Sequence, residues 1–256
     1  MCIELIMKFI DLNADLGEGC ADDSAIIPLL SSANISCGAH AGTEHDIRTG
    51  LLTCQQYGVV VGAHPSYPDR TNFGRAVLAM PHVELIASLS QQLSTFQSYA
   101  DAVGVPVRYV KPHGALYNQA AVDRELAQLL VTVIYNHNPQ LAILTLPNSQ
   151  LQHAARAAGL AVYQEAFADR AYQANGQLVS RSQPGAVLSH HAAVNQSIAL
   201  ATQGRITAVD GTSLQFNADS LCLHGDSPEA LQLATELRHK LQDAGICIQA
   251  FVGRAV

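Results

Sequence analysis

The chain carries little charge and no stretch that would take it to nucleic acid or into a bilayer. Asp, Glu, Lys and Arg make up only 14% of the 256 residues. Either another subunit covers part of the surface, as in a homo-oligomer, or Ser, Gln and Asn do the solvating. Lys and Arg number 14 against 21 Asp and Glu, a net charge of −7 with no basic cluster. That weighs against nucleic acid and anionic membranes as partners. No apolar run approaches the roughly 20 residues of a membrane span. Met1 to Ile10 holds Glu4 and Lys8 and lacks a cleavage-site pattern, so it does not read as a signal peptide. The six cysteines form no CxxC pair. They read as small buried apolar residues in a reducing compartment, which makes the chain cytoplasmic. No GxGxxG follows a strand, and GxxxxGK[ST] and GxSxG are absent. Dinucleotide, P-loop and serine-hydrolase chemistry lose their usual signatures.

What is present is apolar periodicity. Hydrophobic residues reach 48%, enough for a substantial core. Apolar runs at residues 9–12, 34–38, 59–61, 107–110, 141–144, 160–163 and 220–223 predict strands. Between them, helical spacing predicts helices at 43–58, 81–104, 126–134, 149–158 and 187–201, with a last one at 231–241. Thr43 with Asp46 resembles a capping box, and Gly58 is the matching stop. Residues 206–209 and 213–216 flank Asp210-Gly211 as a hairpin, and 246–252 predict a terminal strand. Residues 1–6 read as an extension ahead of a fold that starts at Met7. No linker or low-complexity tract divides residues 1–256, so one domain is expected. Seven strands, six of them followed by a predicted helix, in about 250 residues favour an α/β fold closed into a seven-stranded (β/α) barrel over an open doubly wound sheet.

The chemistry-bearing residues recur at one kind of place. Val59-Val60-Val61-Gly62-Ala63-His64 is a buried strand running into an imidazole, and Pro65 and Pro68 forbid its continuation. The same grammar places His40 after Ser36-Cys37-Gly38-Ala39, His113 after Val110-Lys111-Pro112, and His224 before Gly225-Asp226. Asp15 and Glu18 follow the first strand, and Glu165 the sixth. For Asp15 and Glu18, an Asx-type turn with solvated acids is the alternative. Each histidine alone also fits a packed, hydrogen-bonded residue. Together they fit the one rim where a barrel gathers its strand ends. Lys111, directly after Val110, could hold a carboxylate, a phosphate or an oxyanion, or pair structurally with Glu165. His with Asp could bind a divalent metal, with Asp15, His40 and His64 as ligands in an amide or N-acetyl hydrolase. It could equally act as a metal-free acid–base set.

Six stretches resemble the LamB/YcsF family. They are Asn13-Ala14-Asp15-Leu16-Gly17-Glu18-Gly19, residues 32–42, Gly62-Ala63-His64-Pro65-Ser66-Tyr67-Pro68-Asp69, residues 110–118, Glu165-Ala166-Phe167-Ala168-Asp169-Arg170-Ala171-Tyr172 and His224-Gly225-Asp226. The resemblance spans about residues 9–245. It implies a barrel of the glycoside hydrolase/deacetylase type. It also implies ATP-dependent opening of 5-oxo-L-proline to L-glutamate, with Mg2+-ATP as co-substrate and B and C companion subunits. Ala14 stands where the family often has Cys. Thr71-Asn72-Phe73-Gly74-Arg75 keeps one arginine where two are common. For that reaction the expected catalytic set is Asp15, His40, His64, Lys111, His113, Glu165, His224 and Asp226. Asp15 or Glu165 would be the base, His64 and His113 the proton carriers, and His40, His224 and Asp226 the orienting groups. Asn13, Arg70, Arg75 and Arg170 are the expected substrate contacts. A non-catalytic ligand-binding role is the further alternative.

Overall fold

The computed structural model describes residues 8–225 and 229–253. The expected extension at 1–6 with Met7, the candidate Asp226, and the helix start expected at Ser227-Pro228 lie outside the described residues. In chain order the elements are β1 (Lys8–Leu16), α1 (Asp23–Ile26), β2 (Ser32–Ser36), α2 (Glu44–Tyr57), β3 (Val60–His64), α3 (His82–Ala102), β4 (Val107–Val110), α4 (Gly114–Val122), α5 (Arg124–His137), β5 (Ala142–Thr145), α6 (Gln150–Ala157), β6 (Val162–Phe167), α7 (His190–Gln203), β7 (Arg205–Thr207), β8 (Ser213–Gln215), β9 (Ser220–His224), α8 (Ala230–Asp243) and β10 (Ile246–Ile248).

Strands β1-β2-β3-β4-β5-β6-β9 pair in that order, all parallel, and β9 returns to β1 to close the ring. This is the seven-stranded barrel the sequence predicts. Strand β1 serves two neighbours along its length. Its first residues, Lys8–Ile10, pair with β10, and Asp11–Asp15 pair with β9. The β7–β8 hairpin forms as expected, outside the barrel sheet. The capping box at Thr43 and Asp46 is present, and Gly58 closes α2 in the left-handed region at φ 69°. The described cysteines are all free. Among the described residues, no helix is long and apolar enough to cross a membrane.

Alternation along the strands separates two environments. On β1, Ile10, Leu12, Ala14 and Leu16 join the apolar layer under the helices, with Ala33 and Ile35 of β2, Val61 and Ala63 of β3, and Leu221 and Leu223 of β9. The intervening residues Asp11, Asn13 and Asp15 bond across the lumen instead. Asp11 accepts from Ser32 and Ser220, and the Asn13 amide donates to Ser220 at 2.6 Å. Asn34 donates to Asn13 and Asp15 and accepts from the Tyr109 hydroxyl at 2.7 Å. The lumen is therefore a column of paired polar groups, closed at one end by Tyr109, Ala142, Leu144 and Phe251. Gly62 makes room for this column, because a Cβ there would overlap the Tyr109 ring.

Several boundaries differ from the sequence expectation for one reason. β1 runs on to Leu16, β3 to His64, β6 to Phe167 and β9 to His224. Their ends carry polar residues that face the lumen, which hides them from a pattern that scores apolar runs. Asp15 is thus a strand residue and not part of an Asx turn. β2 is shifted, ending at Ser36 so that Cys37 and Gly38 lie beyond it, and β10 covers only the start of the expected terminal strand. Helix α4, directly after His113, has no counterpart in the sequence expectation.

Candidate active site

Backbone pairing at the barrel rim brings the candidates together. Lys111 N donates to Ala63 O and His113 N to Pro65 O, so the ends of β3 and β4 run side by side past the last strand residues. The loop after β3 then folds back, and Ala115 N at the start of α4 donates to Gly74 O at 2.9 Å. Gly74 sits at φ 64°, and a Cβ there would press on His113 Cδ2 and His40 Cβ, each at 2.9 Å. Only a residue without a side chain lets this loop seal the histidines. On the other side, Asp23 Oδ2 accepts from Gly17 N and Glu18 N and fixes the turn that carries Glu18. Burial pushes the Asp23 carboxyl up to about 6.

Two groups of side chains meet through Asp15. The first surrounds Lys111, which is 2% exposed. Its Nζ donates to Asp15 Oδ1 at 2.9 Å and lies 3.1 Å from Cys222 Sγ. Glu165 Oε2 is 3.0 Å away, close enough for an ion pair though not aligned as a hydrogen bond. Burial works against the ammonium, but Asp15, Cys222 and Glu165 outweigh it and hold Lys111 well above the usual lysine range. Burial likewise opposes the Asp15 carboxylate, and His64 and Lys111 overcome it, holding Asp15 well below its usual value. Glu165 goes the other way. Burial raises it, and Lys111 recovers only part of the shift. Two carboxylates on one ammonium are thereby pushed apart in acidity.

The second group holds the imidazoles. His40 and His113 stack with centroids 3.8 Å apart, and His64 meets His113 edge-on at 4.8 Å. His40 Nε2 is 2.9 Å from Glu18 Oε1, and His64 Nε2 is 2.9 Å from His113 Nδ1. His64 Nε2 also lies 3.4 Å from Asp15 Oδ2. Burial, reinforced by His64, lowers His40 to about 3 and holds His113 well below the usual histidine range. Glu18, His40, His64 and His113 each offer one ligand atom within 4.8 Å of the others, a donor set suited to a metal ion.

Beside both groups opens a cavity of about 470 Å³, lined by Asp15, Lys111, His113, Tyr117, Phe167 and His224 among others. His224 stacks on Phe167, and its Nδ1 lies 2.9 Å from both carboxylate oxygens of Asp169. Burial opposes the Asp169 charge, but His224 keeps that carboxyl below its usual value. Arg75 and Arg181 also line the cavity, Arg75 with its guanidinium 4.9 Å over the Phe73 ring.

The structure thus gathers Asp15, His40, His64, Lys111, His113, Glu165 and His224 at one end of the barrel. The expected substrate contacts other than Arg75 are differently placed. Arg70 donates to Gly38 O and Gly42 O. Arg170 touches the cavity, but its guanidinium donates to Ala186 O and Val179 O. Asn13 lies deeper in the lumen, between Ser220 and Asn34. Two neighbours of the site, Asp169 and Cys222, are absent from the sequence candidates, and Glu18 is a strand-end candidate that the expected catalytic set leaves out. Glu18 follows the first strand, Asp169 stands four residues past Glu165 in the same motif, and Cys222 alternates with His224 on β9. Alternation alone marks Cys222. Nothing short of the folded loop brings Asp169 to His224.

The LamB/YcsF family model matches residues 10–255. The A subunit of 5-oxoprolinase from Neisseria meningitidis serogroup A is 46% identical over 245 residues, covering 95% of this chain and all of that one. The crystal structure of a lactam utilization protein from Thermus thermophilus superposes with a TM-score of 0.87 at 37% identity, over 94% of this chain and 99% of the other. A putative cellobiose-phosphate cleavage protein from Enterococcus faecalis V583 shares only the barrel, with a TM-score of 0.62 at 10% identity over 98% of this chain and 100% of the other. The six motifs that share the strand ends thus lie inside a match that runs nearly the whole length, and the chain belongs to the LamB/YcsF family.

Proposed function

We propose that this chain is one component of an ATP-dependent 5-oxoprolinase, a cytoplasmic hydrolase that opens the lactam of 5-oxo-L-proline to L-glutamate. Mg2+-ATP is the co-substrate, and the B and C companion subunits are the partners. The relatives of like length that are named as the A subunit of 5-oxoprolinase support this reading. The observation that carries it is the buried Lys111 between Asp15 and Glu165 at the floor of a cavity of about 470 Å³. That volume falls within the range of about 300–1,000 Å³ usual for small-molecule sites.

The chemistry needs those groups. An unactivated lactam resists water because amide resonance stabilises its carbonyl. Transfer of the ATP γ-phosphoryl group to the lactam oxygen turns that oxygen into a leaving group and releases ADP. Water then adds to the same carbon while a carboxylate takes its proton, and the ring C–N bond breaks as nitrogen gains a proton, leaving an acyl phosphate that a second water cleaves to the carboxylate and phosphate. Lys111 is placed to stabilise charge on the oxygen. Asp15, kept ionised, is the base, and Glu165, with its raised proton affinity, is the acid or the second base. His224, oriented by Asp169, carries a proton at the opposite wall. His64, with Nε2 3.4 Å from Asp15 Oδ2, positions Asp15 from behind, with His113 and His40 packed against it. Arg75 is the substrate-carboxylate contact the cavity offers. Arg70, Arg170 and Asn13 then hold the loops and the lumen around it.

The test is glutamate release from 5-oxo-L-proline, with and without ATP, and with and without the companion subunits. The proposal expects release only when both are supplied. Release by this chain alone without ATP would replace it with a metal-dependent amide hydrolase. Calorimetric binding of 5-oxo-L-proline with no turnover in any combination would replace it with a ligand-binding role.

A further inference from the structure

The three imidazoles beside the cavity have a hydrogen-bonding problem. His64 Nδ1 is 2.7 Å from Lys111 O, and His113 Nε2 is 2.9 Å from Phe73 O. A carbonyl oxygen only accepts, so each of these nitrogens must carry the hydrogen. In neutral rings that leaves lone pairs on His64 Nε2 and His113 Nδ1. Those two atoms face one another at 2.9 Å. The groups around them are also acceptors: Glu18 Oε1 is 3.4 Å from His113 Nδ1, and Asp15 Oδ2 is 3.4 Å from His64 Nε2. Lone pairs pointed at lone pairs repel unless something positive lies between them. His40 adds a third imidazole with Nε2 2.9 Å from Glu18 Oε1, while its buried Nδ1 has no hydrogen-bond partner. A proton can join two of these atoms, whereas four donors converge within 4.8 Å. Burial of the rings also disfavours an extra proton.

We infer that Glu18, His40, His64 and His113 form a binding site for one divalent transition-metal ion, with zinc the best match to three imidazoles and a carboxylate. Donors on a tetrahedral zinc stand about 3.3 Å apart, given bonds of about 2.0–2.1 Å. Three of the six donor separations, at 2.9, 2.9 and 3.4 Å, lie close to that spacing, and all stay within 4.8 Å. The backbone carbonyls of Lys111 and Phe73 are the outer partners that fix ring orientation in metal sites. The four side chains are 0–4% exposed and fill four positions, which is the pattern of a closed, structural site. They come from the loops after β1 and β2, the end of β3, and the segment joining β4 to α4. The ion pins four adjacent strand ends and fixes one wall of the cavity through His113. This inference stands apart from the lactam reading, since its test needs neither substrate nor ATP.

The test is metal analysis of the untagged chain, then removal by a chelator and titration with cobalt(II). The inference expects about one metal per chain. It expects visible d–d absorption that saturates at the same ratio and is displaced by zinc, and a melting temperature that falls on stripping and returns on readdition. His64→Gln and His113→Gln should each weaken cobalt binding by more than about 100-fold, beyond the effect of losing an outer partner. Circular dichroism confirms that the variants fold. Should one not fold, the cobalt titration of the parent chain still decides. No metal on purification and no cobalt spectrum would overturn the inference and assign the gap to a proton. Unchanged cobalt binding in folded His64→Gln and His113→Gln would overturn it by moving the metal elsewhere.

Discussion

Replacing Lys111 by Met would leave two buried carboxylates facing each other without their common counter-ion. Methionine keeps most of the stem's volume, so the change is chiefly electrostatic. Lys111 Nζ is 2.9 Å from Asp15 and 3.0 Å from Glu165, and Glu165 is fully buried. Removing one partner of a buried ion pair costs about 3–5 kcal/mol. Total stability is typically only about 5–15 kcal/mol, so the loss should be large. Its pH dependence has a definite sign. In the variant, both carboxyls lose the cation that favoured their charged forms, so their folded pKa values rise. Their contribution to stability is then most favourable at low pH and is lost as pH climbs through the raised values. Urea unfolding at about pH 5 and pH 8 should show the deficit widening at the higher pH. Lys111→Met combined with Glu165→Gln should recover much of it, because one uncompensated charge is gone. A single variant within about 1 kcal/mol of the parent at both pH values would refute the idea that the ammonium holds this centre together.

Two further perturbations probe the site's supports. The folded Asp169 carboxyl lies below its usual value, so its contribution to stability is complete above about pH 4 and is lost as pH falls through the depressed value. Asp169→Asn should therefore cost about 1.5–3 kcal/mol near neutrality, with the gap to the parent closing in acid, as read by urea midpoints across pH. A constant gap at every pH would mean that charge on Asp169 is irrelevant. Gly62→Ala should push a methyl into the Tyr109 ring and cost about 1–3 kcal/mol in chemical unfolding, with Tyr109→Phe in the same background failing to relieve it. An unchanged midpoint would show that the lumen has slack there.

The fold is largely legible in the sequence because its outer layer obeys simple periodicity. Leu12, Ala33, Ile35, Val61, Val110 and Leu221 have to be covered by helices, and the helices carry matching apolar faces. The position of Asp15, Lys111 and the histidines at strand ends is legible too, since each follows an apolar run that Gly or Pro terminates. The strand ends themselves are not, because Asp15, His64, Glu165 and His224 are polar residues paired across a closed lumen.

The sequence by itself determined that strands and helices alternate and that imidazoles, acids and an ammonium stand where strands stop. Local spacing encodes both. Only the tertiary structure decided which of those groups touch. It set Lys111 between Asp15 and Glu165, put His224 against Asp169, and joined Glu18 to His40. Those contacts depend on closing β9 onto β1 and folding the Gly74 loop over α4, and no spacing along the chain records such pairings between distant residues.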